Sequence, residues 1–519
     1  MRDALLRGWV VNGVVLFASL GMLACGGASA TNHSGSAAGG AAGRGVPSAG
    51  DAGDAGGAGG SGGLPSNKGA RFQWIEPVPA HVQAAATTSA RTLLRSSVSM
   101  ATADGSVVVG ESTLWVYRTD DDFTEHSEHF RWTERTGSVS LGALPGIDTT
   151  AAQGLVTEVV GMSADGSVLF GITVGAGGSR VAFRWTSAEG MVELHPPSTT
   201  TIASIVGVSA DGSVVAGTLL ASQGQRAFRW TAQAGMFVLE PVPGDTSSEA
   251  VWMSADGSVV AGTSSHGGGE GQAFRWTAGG GVVGLGLLPT TTTCGLLTLP
   301  ANVDGSVLYG LCGSNAFRWT ASSGIVSLGS LPGYERLVPF GMSTDGNAIS
   351  GVAVNGGNDS QVFYWSAEGG LLGLGFLPGD AQSGIRPFRA MSDDGSVVVG
   401  YGDSGAFRWT KTSGMQRLAP LPGEDQTSAI TLSADGSVTA GDSGQHHEPG
   451  TDATAGPDAV YWRVPGSPIS VAASLEAAAV DLSGAQLKSC WVSSDGSAFV
   501  GLGANASGGL RGFIAHVPL

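Results

Sequence analysis

The chain has 519 residues, of which 42% are hydrophobic, 86 are Gly and only 13% are charged. The apolar fraction and thirteen Trp are enough to build a core, which excludes a wholly disordered low-complexity polymer. Forty-two acidic against 25 basic residues leave a formal charge of −17, which repels phosphate backbones and argues against nucleic acid as a partner.

Arg2 and Arg7 precede an apolar run, Gly8 to Ala24, that is too short and too early for a membrane span. Residues 1–24 therefore read as a signal peptide. The run ends at "GMLACGG", which resembles a bacterial lipobox and makes Cys25 the expected lipidation site. Cleavage near "ASA", Ala28 to Ala30, is the alternative, and both place the protein outside the cytoplasmic membrane. Residues 25–69 are dominated by Gly, Ala and Ser, a composition expected of a flexible tether.

From residue 70 a repeat takes over. Asp-Gly pairs stand at Asp104, Asp165, Asp211, Asp256, Asp304, Asp345, Asp394, Asp435 and Asp495, and the six inner spacings average 45 residues. Each pair is followed by an aromatic segment such as "AFRW" at Ala182, Ala227 or Ala273, then by an apolar strand running into "LGALPG" or "LGSLPG". Four short apolar runs separated by turn residues in about 45 residues predict a propeller blade. Helical repeats, which need apolar residues three and four apart over ten or more positions, are excluded.

The two ends complement each other. "FQWIEPVPA", Phe72 to Ala80, aligns without a gap on "MFVLEPVPG", Met236 to Gly244, which is the fourth strand of its unit. The last unit has three strands, around "SCWV", "AFVG" and "GFIAHV", and no fourth. Pairing the N-terminal strand with these three closes a ring and removes sheet edges that an open array must protect. The expected fold is all-β: one closed propeller of four-stranded blades over residues 70–519, with nine blades and eight as the alternative.

The succession "SADGSVVAG", "QAFRWT" and "LGxLPG" resembles the bacterial extracellular HAF-repeat proteins, whose repeat joins an S-DG--VVG segment to His-Ala-Phe-x-Trp. The resemblance covers roughly residues 72–519, and the tail Leu475 to Gly509 is similar to the terminal module of such proteins. The namesake His is replaced by Gln272, Arg226, Asn315 or Gly405. The resemblance implies export and a β-repeat fold, and no reaction.

Asp-Gly between two apolar runs is a hairpin signal, because Gly takes positive φ without a clash and Asp bonds its own following backbone. Nine near-identical turns on a ring point in nine directions, so the Asp residues are expected to be structural and not catalytic or metal-binding. The recurring Trp, as at Trp185 and Trp276, is expected to pack between blades, a carbohydrate-stacking array being the alternative. Arg184 and Arg229 alternate to the opposite face, where an acidic neighbour is the expected partner.

Departures from the repeat are the functional candidates. The first unit carries an insertion, Arg118 to Phe130, with Asp120, Asp121, Asp122, Glu125, His126, Glu128 and His129, expected as a solvated acidic loop with a cation site as the alternative. A second cluster, Gly444 to Asp452, holds His446, His447, Glu448 and Asp452. Cys294 and Cys312 flank the Asp304 hairpin and can be bridged in an oxidising compartment, while Cys490 is expected as a buried thiol. No nucleophile elbow, phosphate loop, metalloprotease helix or cofactor motif was found. The expected function is that of an exported, lipid-anchored monomer binding a protein or glycan partner, without catalysis. A polysaccharide lyase or hydrolase and a passive envelope component are the alternatives.

Overall fold

The computed structural model describes residues 69–519 apart from 89–90, 120–121, 146–156, 175–179, 268–269, 358, 386–389, 445–456, 464–465 and 518–519. Cys25 and the segments 1–24 and 25–68 lie outside the described residues. Among the described residues, 36 strands form nine four-stranded antiparallel sheets, arranged as a nine-bladed propeller. The ninth sheet removes the eight-blade alternative. Strands are numbered in chain order and blades I to IX likewise, with one Asp-Gly pair in each blade.

Ring closure is made by β1 (Arg71–Ile75), which joins β34 (Gln486–Val492), β35 (Phe499–Ala504) and β36 (Leu510–His516) as the fourth strand of blade IX. β1 pairs antiparallel with β36, Arg71 opposite His516 and Ile75 opposite Gly512. Blade IX is then tied to blade I. Ser96 donates to the Ile75 carbonyl, the Gly512 amide donates to Ser96 Oγ at 3.1 Å, and Arg511 Nη1 donates to the Leu94 carbonyl at 2.6 Å. The last two bonds join residues over 400 positions apart in sequence.

Within a blade, one recurring residue pair organises the core. In blade IV, Gly262 on the second strand lies opposite Phe274 on the third, and the first strand bulges between Ala250 and Trp252. A Cβ on Gly262 would come within 2.0 Å of the Glu249 carbonyl oxygen and 2.7 Å of the Phe274 ring. The missing side chain is thus what lets the fully buried Phe274 lie across the sheet. The same step recurs at Gly110 with Phe130, Gly171 with Phe183, Gly351 with Phe363 and Gly501 with Phe513. Each buried ring contributes about 1.5–3 kcal/mol relative to exposure.

Blades pack through mixed clusters. Val107 and Val109 of blade I meet Leu169, Phe183 and Trp185 of blade II, and Val214 and Ala216 of blade III meet Val260, Phe274 and Trp276 of blade IV. Trp132, Trp185, Trp276, Trp409 and Trp462 are all buried, which closes them to a stacking sugar.

Because each sheet is an up-and-down meander, the 1–2 and 3–4 turns of every blade lie at one end of the ring. The 2–3 hairpins and the connections to the next blade lie at the other. These ends are called the turn face and the hairpin face. β1, as a fourth strand, begins at the turn face. Two helices, α1 (Pro79–Thr87) and α2 (Val471–Ala477), sit in the connections into blades I and IX, and so belong to the hairpin face.

Candidate functional site

The turn face consists of the repeated Asp-Gly motif. In blade IV the Ser254 hydroxyl donates to Asp256 Oδ1 at 2.6 Å, and the Ser258 amide donates to the same oxygen at 2.9 Å. The Val259 amide donates to Ser254 Oγ at 2.9 Å. The Ser254 hydroxyl, opposed by partial burial and aided by Ser258, holds the Asp256 carboxyl below the usual carboxylate range. Gly257 has a φ of +68°, and its Cβ would lie 2.6 Å from Val214 of the preceding blade, so Gly is required both by backbone and by space.

Neighbouring turns are also joined. The Ala164 amide donates to the Ala210 carbonyl at 2.7 Å and Ala210 to Ala255 at 2.6 Å; Thr344 donates to Asp393, Asp393 to Ala434 and Ala434 to Ser494, each at 2.8 Å. Arg in "FRW" adds a second link. Arg131 Nε donates to the Gly166 carbonyl of the next blade, Arg229 to Gly257 and Arg275 to Gly305, at 2.6, 2.8 and 2.8 Å. This differs from the expected acidic partner: an arginine stem lying along the strand reaches the neighbouring turn carbonyl first. Arg184 alone of these does pair with a carboxylate, Glu189, at 2.6 Å. The Asp residues are therefore spent on holding the ring.

At the seam the arginine is missing. Blade IX has Ile514 and Ala515 where the other blades carry Trp and, apart from Tyr364 and Tyr461 in blades VI and VIII, Arg, and a cavity of about 290 Å³ opens there between Phe72, Arg131, Trp132 and His516. Arg71 spans its edge, donating to Glu134 at 2.8 Å and to His516 Nε2 at 3.1 Å.

The hairpin face carries what breaks the repeat. In blade I, β3 (Val107–Tyr117) and β4 (Phe123–Thr133) are eleven residues each, whereas the second and third strands elsewhere run from six to nine. The insertion is thus mostly strand, contrary to the expected loop, because β3 and β4 pair along their whole length from Tyr117 opposite Phe123 to Val107 opposite Thr133. Its titratable residues are divided between two faces. Glu128 lies towards α1, where His81 Nε2 approaches Glu128 Oε1 at 3.7 Å and His81 Nδ1 bonds Ser112 Oγ at 2.8 Å. Burial lowers the His81 pKa against the pull of Glu128. His129, opposite Glu111, is half-buried, and its desolvation lowers its pKa against the pull of Glu111.

The other face of this extension has no covering element among the described residues. With β2 (Arg91–Ala101) it forms a grid: Arg91, Tyr117 and Phe123 in one row, Leu93, Trp115 and Glu125 in the next, Arg95, Thr113 and Ser127 in the third. Arg91 lies 4.9 Å over the Tyr117 ring, Arg95 5.2 Å over the Trp115 ring, and the Tyr117 and Phe123 rings are 5.5 Å apart. Leu93 and Phe123 are each 47% exposed.

A second cluster on the same face belongs to blade IV. Asp245 precedes β14 (Ser247–Met253), and His266 and Glu270 flank the hairpin between β15 (Val259–Gly267) and β16 (Glu270–Thr277). His266 Nδ1 meets Asp245 Oδ1 at 3.0 Å and Nε2 meets Glu270 Oε2 at 2.9 Å. The bonds to Asp245 and then Glu270 raise the His266 pKa.

The remaining sequence candidates fall as follows. Asp120 and Asp121, and His446, His447, Glu448 and Asp452, lie outside the described residues. Among the described residues no three of His, Cys, Asp and Glu converge to hold a metal. Cys294 and Cys312 form a disulfide across the first hairpin of blade V, and Cys490 is a buried free thiol whose pKa burial raises. The grid and the Asp245, His266, Glu270 cluster escaped sequence reasoning, although the spacing of 61 between Asp104 and Asp165 marked blade I as oversized.

No family model matches the chain, and no curated protein matches it significantly, so the likeness to HAF-repeat proteins rests on the motif itself. Solved structures of similar fold include a prolyl endopeptidase, at 12% identity and TM-score 0.41 over 72% of this chain and 55% of that one. A post-proline cleaving enzyme from Rickettsia typhi follows at 7% identity, TM-score 0.39, 70% and 57%. An oligogalacturonate lyase from Vibrio parahaemolyticus matches at 11% identity, TM-score 0.35, 64% and 93%. The chain spans little more than half the length of the two peptidases. The likeness is one of fold. It nevertheless corrects the expectation that the chain is not an enzyme: the propeller is a scaffold found in enzymes, and supplies no ground for setting catalysis aside.

Proposed function

We propose that the protein is an exported, lipid-anchored propeller that binds a protein or glycan partner on its hairpin face. One observation carries this reading: among the described residues the long hairpin of blade I, α1, α2 and the cluster of Asp245, His266 and Glu270 belong to that face, while the turn face repeats one bonded motif from blade to blade. Exposed Leu220, Tyr401, Leu502 and Leu510 sit at 2–3 hairpins of the same face. β1 begins at the opposite face, so a tether from Cys25 leaves the hairpin face turned outwards. The Cys294–Cys312 bridge supports an oxidising compartment.

The test has two arms. Labelled palmitate is expected in the full chain and absent from the Cys25→Ser variant; equal labelling contradicts the anchor. Retention of the soluble body on surface material is expected to fall about tenfold when residues 115–125 are replaced by a two-residue turn, and to be unchanged by Glu134→Gln on the turn face. Equal retention of all three proteins contradicts the assigned face.

A second reading, a polysaccharide lyase or hydrolase on the same face, is favoured by His266. Held between Asp245 and Glu270 with a raised pKa, it is suited to act as a general acid near neutral pH. NMR titration of the ring is expected to give a midpoint above about 6.5. Product release from polysaccharide that His266→Asn abolishes supports this reading; no product from wild type ends it.

A further inference from the structure

The aromatic grid of blade I has no role in the ring. Its two outer rows lie beyond the length of the neighbouring blades' strands, and α1 already covers the opposite side, where Ser112 and Leu114 are buried. Trp115 and Tyr117 are two apart on β3 and so project to one side, about 7 Å apart along the strand. Phe123 continues the strip across β4. Aromatic contacts hold the rings in place: Arg91 and Arg95 lie over two of them, and the Tyr117 and Phe123 rings touch. The result is a preorganised aromatic strip, half-open to solvent, with Arg91 and Arg95 each against one ring face and the Tyr117 and Phe123 rings tilted by 39°.

We propose that this grid is a binding platform for an uncharged glycan chain. The apolar C–H faces of sugar rings fit flat aromatic surfaces, and their hydroxyl groups need both donors and acceptors at the edge. Arg95 supplies donors, and the Glu125 carboxylate, which accepts from Ser127 at 3.3 Å, retains further acceptor capacity. Arg91, Arg95 and Arg118 stand near Glu125 and Asp122, Asp122 being paired with Arg118 at 3.1 Å, so the strip carries little net charge and offers no strong cationic cradle for a polyanion. The net charge of −17 repels acidic polysaccharides further. A strip of neighbouring rings suits a chain lying along it better than a protein anchor residue, which needs a pocket.

This inference rests on the hairpin face being the partner face. Its test is affinity electrophoresis of the folded body through gels containing a mixed-linkage β-glucan, a xylan or a galactomannan, with polygalacturonate and alginate for comparison. Retardation is expected in at least one neutral gel and in neither acidic gel. Trp115→Ala and Phe123→Ala are expected to weaken it about tenfold with unchanged melting temperature, and Glu125→Gln to weaken it less. Glu134→Gln on the turn face is expected to match wild type. No retardation in any neutral gel, retardation only by acidic glycans, or equal retardation of Trp115→Ala and Phe123→Ala overturns the proposal. If retention on surface material still depends on residues 115–125 while the glycan gels are negative, the partner is a protein: the glycan inference fails and the face assignment stands.

Discussion

Gly262 and Gly281 show how differently one residue type is used. Gly262 is pinned between the Glu249 carbonyl and the Phe274 ring, whereas a Cβ on Gly281, at a φ of +66°, meets nothing. Gly262→Ala is therefore expected to cost about 3 kcal/mol or more through overpacking against backbone, and Gly281→Ala about 1 kcal/mol through backbone strain alone. Urea midpoints of the two variants measure the contrast, and similar losses would count against the Gly–Phe step. Asp256 makes a second prediction. Its lowered pKa means that the ionised form is preferred in the folded state, so its contribution is present above the unfolded value near 3.9 and is lost as pH falls through the folded value. Asp256→Asn should lower the melting temperature at pH 6 and cost progressively less below about pH 4; a loss independent of pH contradicts this. The turn role of the Asp-Gly pairs was open to sequence reasoning because a local motif carries it. The Gly–Phe step needs the pairing of two strands, and only the repetition of "VVAG" before "AFRW" hinted at it.

Elements differ in how far they announce themselves. The four strands of each unit follow from alternation and turn residues, whose physics is local. α1 and α2 did not: both are short, and α1 is held by packing on β2 and β3 and by the His81–Ser112 bond more than by sequence propensity. Pro79 in its first turn and the run Ala84 to Ala86 were the available signals. The blade I extension reads as a loop in the sequence because its charged residues stand in strands whose two faces are both partly exposed. Blade V owes part of its stability to a covalent element. Replacing both Cys294 and Cys312 by Ala, which opens a link with a sequence separation of 18, is expected to cost about 2–4 kcal/mol. Thermal melting under non-reducing conditions measures it, and an unchanged midpoint contradicts a bridge in the native protein.

The architecture of the whole molecule was legible because its two ends each lack what the other supplies, and closure removes both exposed edges. The function was less legible, since specificity sits in side chains that the repeat does not predict and that only the fold gathers onto one face. The ring also explains why the most conspicuous residues are not the candidate site: most Asp-Gly turns pack on a valine of the preceding blade, and most are also joined to a neighbour by an amide bond or an arginine link. The division into a structural face and a variable face depends on β1 completing blade IX, because this closes the ring and sets the end at which the chain enters it. Native-state hydrogen exchange of the intact protein tests this most directly. Amides of β1 that face β36 are predicted to exchange as slowly as those of β35 and β36. Exchange of residues 71–75 at the rate of an unpaired segment, with β36 amides losing protection alongside, would contradict the closed ring.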